Sequence, residues 1–259
     1  MSEKPVLIER DGAIALVTLN RPEKLNALNQ DVRQKIAAAM DELASDTAVK
    51  VAILHGRGPR AFVAGADVAE FASRTTSEQR DVSEGRRVYD AVAEFPKPLI
   101  AAIHGFCVGG GCELALACDL RVADRTAQFC QAEIRLGLIP GAGGTQRLAR
   151  LVGTGQALRM ALIGDNIDAV EAYRIGLVEF LVEKGQHLNK AKELASKMAH
   201  WSPVALRLAK QAVHLALEKP LGEGLDHERE LFLEAFDSHD AREGIRAFIE
   251  RRKPDFKGR

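Results

Sequence analysis

A run of three glycines, followed by a cysteine and a glutamate, decides the fold of this chain. The segment is GFCVGGGCE, at residues 105–113, and it lies between an apolar run at 99–103 and the apolar stretch LALAC. A buried strand, a tight turn and a buried helix in this order indicate an α/β protein. Three consecutive glycines are costly to order, so they are expected where a ligand approaches the backbone closely. The N–H groups at the helix start would attract negative charge, although a tight turn made for packing is the structural alternative.

Two glutamates stand out beside glycine-rich turns. Glu113 lies in apolar sequence, where a carboxylate is costly to bury without a partner. A structural ion pair or a capping interaction would explain it, as would a carboxylate held at the mouth of an anion site. Glu133 follows in FCQAEI, and a lone glutamate beside a strand is usually solvated. A second glycine-rich bend, PGAGGT at residues 140–145, gives Glu133 a context that favours function.

A third segment of small residues is AFVAGADV, at residues 61–68. Its small side chains allow close approach to the backbone, and a turn into a helix would leave N–H groups free. One donor from this segment and another from Gly110 could form a two-donor oxyanion hole. Each such donor is typically worth about 10²–10³ in rate.

The rest of the chain divides into two regions. Strand patterns flank Asp11-Gly12, which is a hairpin signal, and helical spacing follows from Leu28 to Leu43, with Asn26 or Asn29 as its cap. The polar segment 73–87 is expected to be exposed and mobile. After about residue 185 the pattern is almost wholly helical. We therefore predict an α/β core at residues 1–185 and a helical region at residues 186–259.

Charge and composition exclude several classes of protein. The chain has 259 residues, with 36 Lys plus Arg against 36 Asp plus Glu, so its formal net charge is zero. General affinity for nucleic acid is therefore not expected. No apolar stretch approaches the roughly 20 residues that span a bilayer, and no signal peptide is evident. We therefore expect a cytoplasmic protein with no membrane partner.

Cysteine spacing and absent motifs narrow the chemistry further. The cysteines show no CxxC pair and no histidine at zinc-finger spacing, so we expect buried free thiols and no metal site; they are Cys107, Cys112, Cys118 and Cys130. The sequence also lacks GxxxxGK(S/T), GxGxxG, GxSxG and HExxH. ATPase, nicotinamide dehydrogenase, serine hydrolase and zinc protease are thereby disfavoured.

Taken in order, these segments resemble the crotonase family, also called the enoyl-CoA hydratase/isomerase superfamily. The resemblance covers essentially the whole chain: TLNRPEKLNAL near the start, then AFVAGAD, HGFCVGGGCELALACDLRVA, PGAGGTQRL and the PDFK tail. It implies an α/β spiral of repeated β-β-α units with a C-terminal helical region that builds trimers, which usually pair as hexamers. It also implies an acyl-CoA thioester substrate and no cofactor beyond the CoA of that substrate.

The resemblance assigns roles by position. Ala66 and Gly110 correspond to the oxyanion-hole donors, and Glu113 and Glu133 to the catalytic glutamates of the hydratase branch. The positions implied to bind substrate or CoA are Lys24, Leu25, Ala64, Ala66, Asp67, Val68, Ala69, Gly110, Gly141, Phe248 and Arg251, of which the last two resemble positions that reach a neighbouring subunit's CoA. Gly141 corresponds to a place where backbone comes close to the second glutamate. One departure is Ala132, because many members have proline there.

Both glutamates together favour hydration of a trans-2-enoyl-CoA, with Glu113 activating water and Glu133 protonating C2. An enoyl-CoA delta isomerase, which can work with one carboxylate at the position of Glu133, is the alternative, as is another acyl-CoA lyase or isomerase of the family. Some relatives bind RNA or serve as scaffolds. Segment 29–46 has Arg33 and Lys35 but also four acidic residues, so it is no basic patch.

Overall fold

The computed structural model describes residues 4–72 and 74–259, and among these it has ten strands and eleven α-helices. The strands are β1 (Val6–Asp11), β2 (Ile14–Leu19), β3 (Val51–Gly56), β4 (Ala61–Val63), β5 (Leu99–Ile103), β6 (Phe106–Val108), β7 (Leu120–Asp124), β8 (Gln128–Cys130), β9 (Ile167–Asp168) and β10 (Phe180–Val182). The helices are α1 (Gln30–Ser45), α2 (Thr76–Ser83), α3 (Val88–Ala93), α4 (Gly110–Ala117), α5 (Gly144–Val152), α6 (Thr154–Ile163), α7 (Ala169–Arg174), α8 (His187–Ala199), α9 (Pro203–Leu215), α10 (Leu221–Asp237) and α11 (His239–Ile249). Short 3-10 turns occur at Pro22–Lys24, Val68–Glu70 and Glu133–Leu136.

The strands form two sheets that the chain enters alternately. The large sheet has the order β1-β2-β3-β5-β7-β10, and the small sheet has the order β4-β6-β8-β9. Strands β3, β5 and β7 lie in the large sheet, and the strand that follows each of them lies in the small sheet. The chain therefore repeats one β-β unit three times, advancing by one strand each time, and α4 and α5 follow the second and third units. The predicted α/β spiral is confirmed.

The core packs on both faces of the large sheet. Successive residues of a strand point to opposite faces, so Ala52 and Leu54 of β3 join one cluster, whereas Val51 and Ile53 join the other. Helices α1, α3 and α4 cover the first face, and α8 covers the second through its buried alanines. The helical region thus begins with a helix that packs on the sheet, and the division at residue 185 stays a prediction.

Local sequence signals place several element ends. Gly12 takes a φ of +57° in the β1–β2 turn, and the Asn29 side chain accepts a hydrogen bond from the N–H of Val32 at the start of α1. The polar segment 73–87 contains helix α2, which a capping box between Thr75 and Glu78 begins. No residue of α2 is buried, so the segment is exposed as expected, but it has regular structure; Ser73 lies outside the described residues.

All four cysteines are buried, as predicted, and within the described part of the chain they are free thiols. Burial raises the pKa of the Cys118 thiol to about 12. Among residues 4–72 and 74–259, no helix is both long enough and apolar enough to cross a membrane.

Candidate active site

Two free backbone donors meet where β4 and β6 lead into their following turns. Ala66 follows Gly65, whose φ of +107° turns the chain, and Gly110 is the first residue of α4. A Cβ placed on Gly110 would lie 3.6 Å from the Ala66 nitrogen, so the two residues are neighbours. Within the described residues, neither N–H donates to a protein acceptor. The structure therefore brings together the two donors that the sequence predicted.

The segment around Asn26 holds the Ala66 donor in place. The buried Asn26 side chain donates to the carbonyls of Ala61 (2.9 Å) and Arg57 (3.0 Å). The N–H of Leu28 donates to the Gly65 carbonyl at 2.9 Å, which fixes the backbone just before Ala66. The sequence predicted Asn26 only as a possible helix cap, because the two carbonyls that accept from its side chain lie more than 30 residues away in sequence.

The same pairing gathers the early residues that the resemblance assigns to CoA binding. The Ala64 N–H donates to the Leu25 carbonyl at 3.0 Å, so residues 24–25 lie beside residues 64–67. Leu25 takes a φ of +53°, which turns the chain at this point. Val68 and Ala69 follow in an exposed 3-10 turn. Six of the implied binding positions therefore form one continuous strip; they are Lys24, Leu25, Ala64, Asp67, Val68 and Ala69.

Glu113 is buried in the first turns of α4, with only 3% of the residue exposed. Its Oε1 accepts two hydrogen bonds from the second glycine-rich bend, from the N–H of Ala142 at 2.7 Å and from that of Gly144 at 2.9 Å. Burial raises the pKa of Glu113, and these two donors oppose the rise because they favour the ionised form. The carboxylate is thus buried but supported as an anion.

Glu133 starts the 3-10 turn after β8 and has different surroundings. Its Oε1 lies 2.9 Å from the point where a Cβ on Gly109 would stand, and Gly109 has a φ of +51°. Its Oε2 is buried and has no hydrogen-bond partner among the described residues. Burial, assisted by the negative charge of Glu113, raises the pKa of Glu133 to about 7. A substantial fraction of Glu133 is therefore protonated at neutral pH.

One glycine turn thus connects every group. Gly109 contacts Glu133, Gly110 supplies a free N–H, and the N–H of Glu113 closes the turn on the Gly109 carbonyl at 2.9 Å. We call the site formed by Ala66, Gly110, Glu113 and Glu133 the chamber. It presents two donors for an oxygen that gains negative charge, one carboxylate supported as an anion and one that retains a proton. This combination suits proton transfer next to a carbonyl group.

Tyr89 is a chamber residue that the sequence did not indicate. It lies on α3, it is 7% exposed, and its hydroxyl oxygen stands 2.8 Å from the point where a Cβ on Gly110 would lie. Burial and the negative charge of Glu113 raise the pKa of Tyr89, so its phenol is neutral. A lone tyrosine 21 residues before Gly110 carries no sequence pattern that marks it.

Three predicted positions make no described hydrogen bond to the two donors or the two glutamates. The Gly141 carbonyl accepts from the Arg87 guanidinium, and the position of Gly141 beside Glu133 stays a prediction. Phe248, near the end of α11, is 86% exposed, and Arg251 follows it with its backbone folded back on Phe248. None of the described contacts of Phe248 or Arg251 reaches the chamber of the same chain.

Comparison with known proteins agrees with this geometry. Residues 9–259 match the profile of the enoyl-CoA hydratase/isomerase family. The chain is 44% identical to a short-chain-enoyl-CoA hydratase of Clostridium acetobutylicum, with 98% of each sequence covered. It is 43% identical to a 2,3-dehydroadipyl-CoA hydratase of Escherichia coli, with both sequences covered in full.

The fold agrees as well. A crystal structure of an enoyl-CoA hydratase from Bacillus anthracis matches with a TM-score of 0.94 at 38% identity, covering 98% of this chain and 100% of that one. Sequence and fold thus match over nearly the whole length of the chain. The chain belongs to the enoyl-CoA hydratase/isomerase family.

Proposed function

We propose that the chamber adds water to a trans-2-enoyl-CoA through its two backbone donors and two glutamates, giving a 3-hydroxyacyl-CoA. Enoyl-CoA hydration is the activity named for relatives that span the chain, and the chain is a hydro-lyase of that type. The division of labour among residues rests on the contacts described above.

The N–H groups of Ala66 and Gly110 bind the thioester oxygen in this proposal. Both are free of protein acceptors among the described residues, and a Cβ on Gly110 would lie 3.6 Å from the Ala66 nitrogen. When water adds to C3, negative charge moves to that oxygen, and fixed donors stabilise it without reorganising. Such a donor is typically worth about 10²–10³ in rate.

Glu113 acts as the base and Glu133 as the acid. Ionised Glu113 takes a proton from water as the water oxygen bonds to C3, and protonated Glu133 delivers its proton to C2. The thioester carbonyl is then restored, and the two carboxyl groups have exchanged protonation states. Dehydration runs through the same groups in reverse. The proposed steps use only groups of the chain itself.

The unlike surroundings of the two carboxylates carry this proposal. The test is hydration of crotonyl-CoA, followed by loss of absorbance of the conjugated thioester, in buffer with a chelator and no nucleotide. We expect turnover by the wild type, and hydration lost in a variant that lacks either carboxylate. Turnover that required an added metal or nucleotide would contradict the proposal. In the described part of the chain, no cluster of histidine, cysteine, aspartate and glutamate side chains could hold a metal ion.

We further propose that the chain works as a homo-oligomer, a trimer or a pair of trimers. The last two helices expose large apolar side chains, including Leu221 (79%), Phe248 (86%) and Ile249 (75%), which would be costly to leave in water. In such an assembly Phe248 and Arg251 would approach the CoA of a neighbouring subunit. Light scattering of the purified protein measures the mass, and a monomer at working concentration would contradict the proposal.

A further inference from the structure

The glycine-rich bend 140–145, which donates to Glu113, accepts a hydrogen bond from Arg87 on its other side. The Arg87 Nη1 donates to the Gly141 carbonyl at 2.9 Å. That carbonyl and the N–H of Ala142 belong to the same peptide group, and the Ala142 N–H donates to Glu113 Oε1 at 2.7 Å. A single peptide therefore connects a guanidinium on one side with the catalytic carboxylate on the other.

Two hydrogen bonds that share one peptide group in this way strengthen each other. A cation that donates to a carbonyl polarises the peptide and makes its N–H a better donor. The peptide plane also becomes fixed at both ends, so the N–H keeps its direction toward Glu113. The positive charge of Arg87 in addition favours the ionised form of Glu113 over distance.

Arg87 is set in a defined orientation. It precedes α3, where its backbone N–H and its Nε donate to Asp90 Oδ2 at 2.9 Å and 3.2 Å. Its side chain is 30% exposed. The neighbouring Arg86 points elsewhere, because it pairs with Asp41 at 2.7 Å and with Glu94 at 2.9 Å on the surface. Only the second arginine of this pair contacts the bend.

A second arginine, Arg147, donates a hydrogen bond to the next peptide of the bend, between Ala142 and Gly143. Arg147 on α5 donates from Nη1 to the Ala142 carbonyl at 3.1 Å. Its guanidinium passes so close to Gly143 that a Cβ there would stand 2.2 Å from the same nitrogen. The carbonyl of Ala142 shares its peptide with the N–H of Gly143, which is not among the described donors to Glu113. Arg147 therefore fixes the shape of the bend without extending the hydrogen-bond chain.

We propose that Arg87 is a positioning residue for hydration, which acts through the Gly141–Ala142 peptide to hold and polarise the donor of Glu113. This inference rests on the proposed role of Glu113 as the base. Arg87 itself contacts no reacting atom. The charged and titratable groups that face Glu113 are Arg87, Arg147, Glu133 and the Tyr89 hydroxyl, so replacing Arg87 leaves three of them unchanged.

The test compares Arg87→Gln and Arg87→Lys with the matched control Arg86→Gln. Crotonyl-CoA hydration is measured from pH 5 to pH 9, and thermal melting checks that each variant is folded. Arg87→Gln loses a charge-assisted hydrogen bond that acts on Glu113 through a peptide group. We expect kcat to fall about tenfold and KM to change less than about twofold. The low-pH limb of kcat should move to higher pH by about half a unit, because protonation of Glu113 becomes easier.

Arg87→Lys retains the charge but loses the planar guanidinium, so it should restore the position of the low-pH limb more than it restores kcat. Arg86→Gln should match the wild type in both. An Arg87→Gln variant that is folded and has the wild-type pH limb would overturn the inference, even if its kcat were reduced.

A second measurement does not depend on turnover. Carbon-13 NMR of labelled glutamate carboxyl groups, assigned with Glu113→Gln, reports the pKa of Glu113 directly. Arg87→Gln should raise that pKa, and an unchanged value would overturn the inference. Wild-type protein that failed to hydrate crotonyl-CoA would count against the proposed function, whereas this titration would still decide the role of Arg87.

Discussion

The two carboxylates of the chamber differ in burial and in surroundings, because Glu113 is buried and Glu133 is partly exposed. Glu113 is the more buried residue, and burial alone would favour its protonated form. Two backbone N–H groups oppose that preference at Glu113. Glu133 has a buried oxygen without a protein partner among the described residues, and its pKa is about 7. Directed hydrogen-bond donors, rather than depth of burial, thus distinguish the proposed base from the proposed acid.

This difference between the surroundings of Glu113 and Glu133 also explains why a second glycine-rich bend packs against Glu113. The bend 140–144 lies close enough to donate two N–H groups, and a Cβ on Gly144 would stand 2.9 Å from Gln131 Oε1. Glycine is therefore required for the close approach of the bend to its neighbours. The proposed acid Glu133 has no such pair of donors, which would favour its ionised form and so remove its proton.

The largest expected effect comes from removing each carboxylate by an isosteric change. Glu113→Gln retains an oxygen that accepts from Ala142 and Gly144 but is no base, and Glu133→Gln has no proton of suitable acidity. Each should lower kcat about 10³-fold, in the range of general acid–base catalysis, while KM for crotonyl-CoA changes little. Steady-state kinetics on the two variants and on the exposed Glu84→Gln control measures this.

The double variant sharpens the same comparison. Because water addition needs base and acid together, Glu113→Gln/Glu133→Gln should fall little below the weaker single variant. Multiplied losses, or a Glu133→Gln variant with near-normal kcat, would show that the carboxylates do not act as a pair.

The sequence predicted the parts of this site that rest on local backbone. Glycine runs at Gly109 and Gly143 mark close approach or positive φ, and the structure has both residues in that region, at +51° and +107°. A glutamate in apolar sequence needs partners, and Glu113 has them. The Asp11-Gly12 hairpin and the Asn29 cap are also local, so the sequence alone indicated them.

The parts that escaped prediction depend on tertiary contacts. Tyr89 and Arg87 meet residues that lie 21 and 54 positions away in the chain, and no spacing rule connects them. Helix α2 is a different case, because the prediction for its segment rested on polar composition alone and did not use the capping box of Thr75 and Glu78. The domain division at residue 185 is based on periodicity, which does not show that α8 packs on the sheet.

A smaller effect tests the space around Glu133. In Gly109→Ala the new Cβ would stand 2.9 Å from Glu133 Oε1, on a backbone whose φ of +51° disfavours alanine. Displacing the acid should lower kcat about 10- to 100-fold, because small misplacements of a catalytic group are costly. Gly155→Ala is the matched control, since its Cβ would meet no described atom within 4 Å. A Gly109→Ala enzyme as active as this control would show that Glu133 tolerates movement.

The smallest expected effect is on the free energy of unfolding, which tests the environment of Glu133 without measuring catalysis. Its pKa is about 7 in the folded chain and near 4.5 without burial, so folding favours the protonated form. That contribution is fully present below pH 4.5 and is lost as pH rises through 7, where the ionised carboxylate destabilises the fold. Glu133→Gln should therefore gain about 1–2 kcal/mol relative to the wild type at pH 8, a figure reduced for partial exposure, and much less at pH 5. Denaturant unfolding at both pH values measures this, and an equal gain at pH 5 and pH 8 would mean that burial of an ionised Glu133 is not what separates it from Glu113.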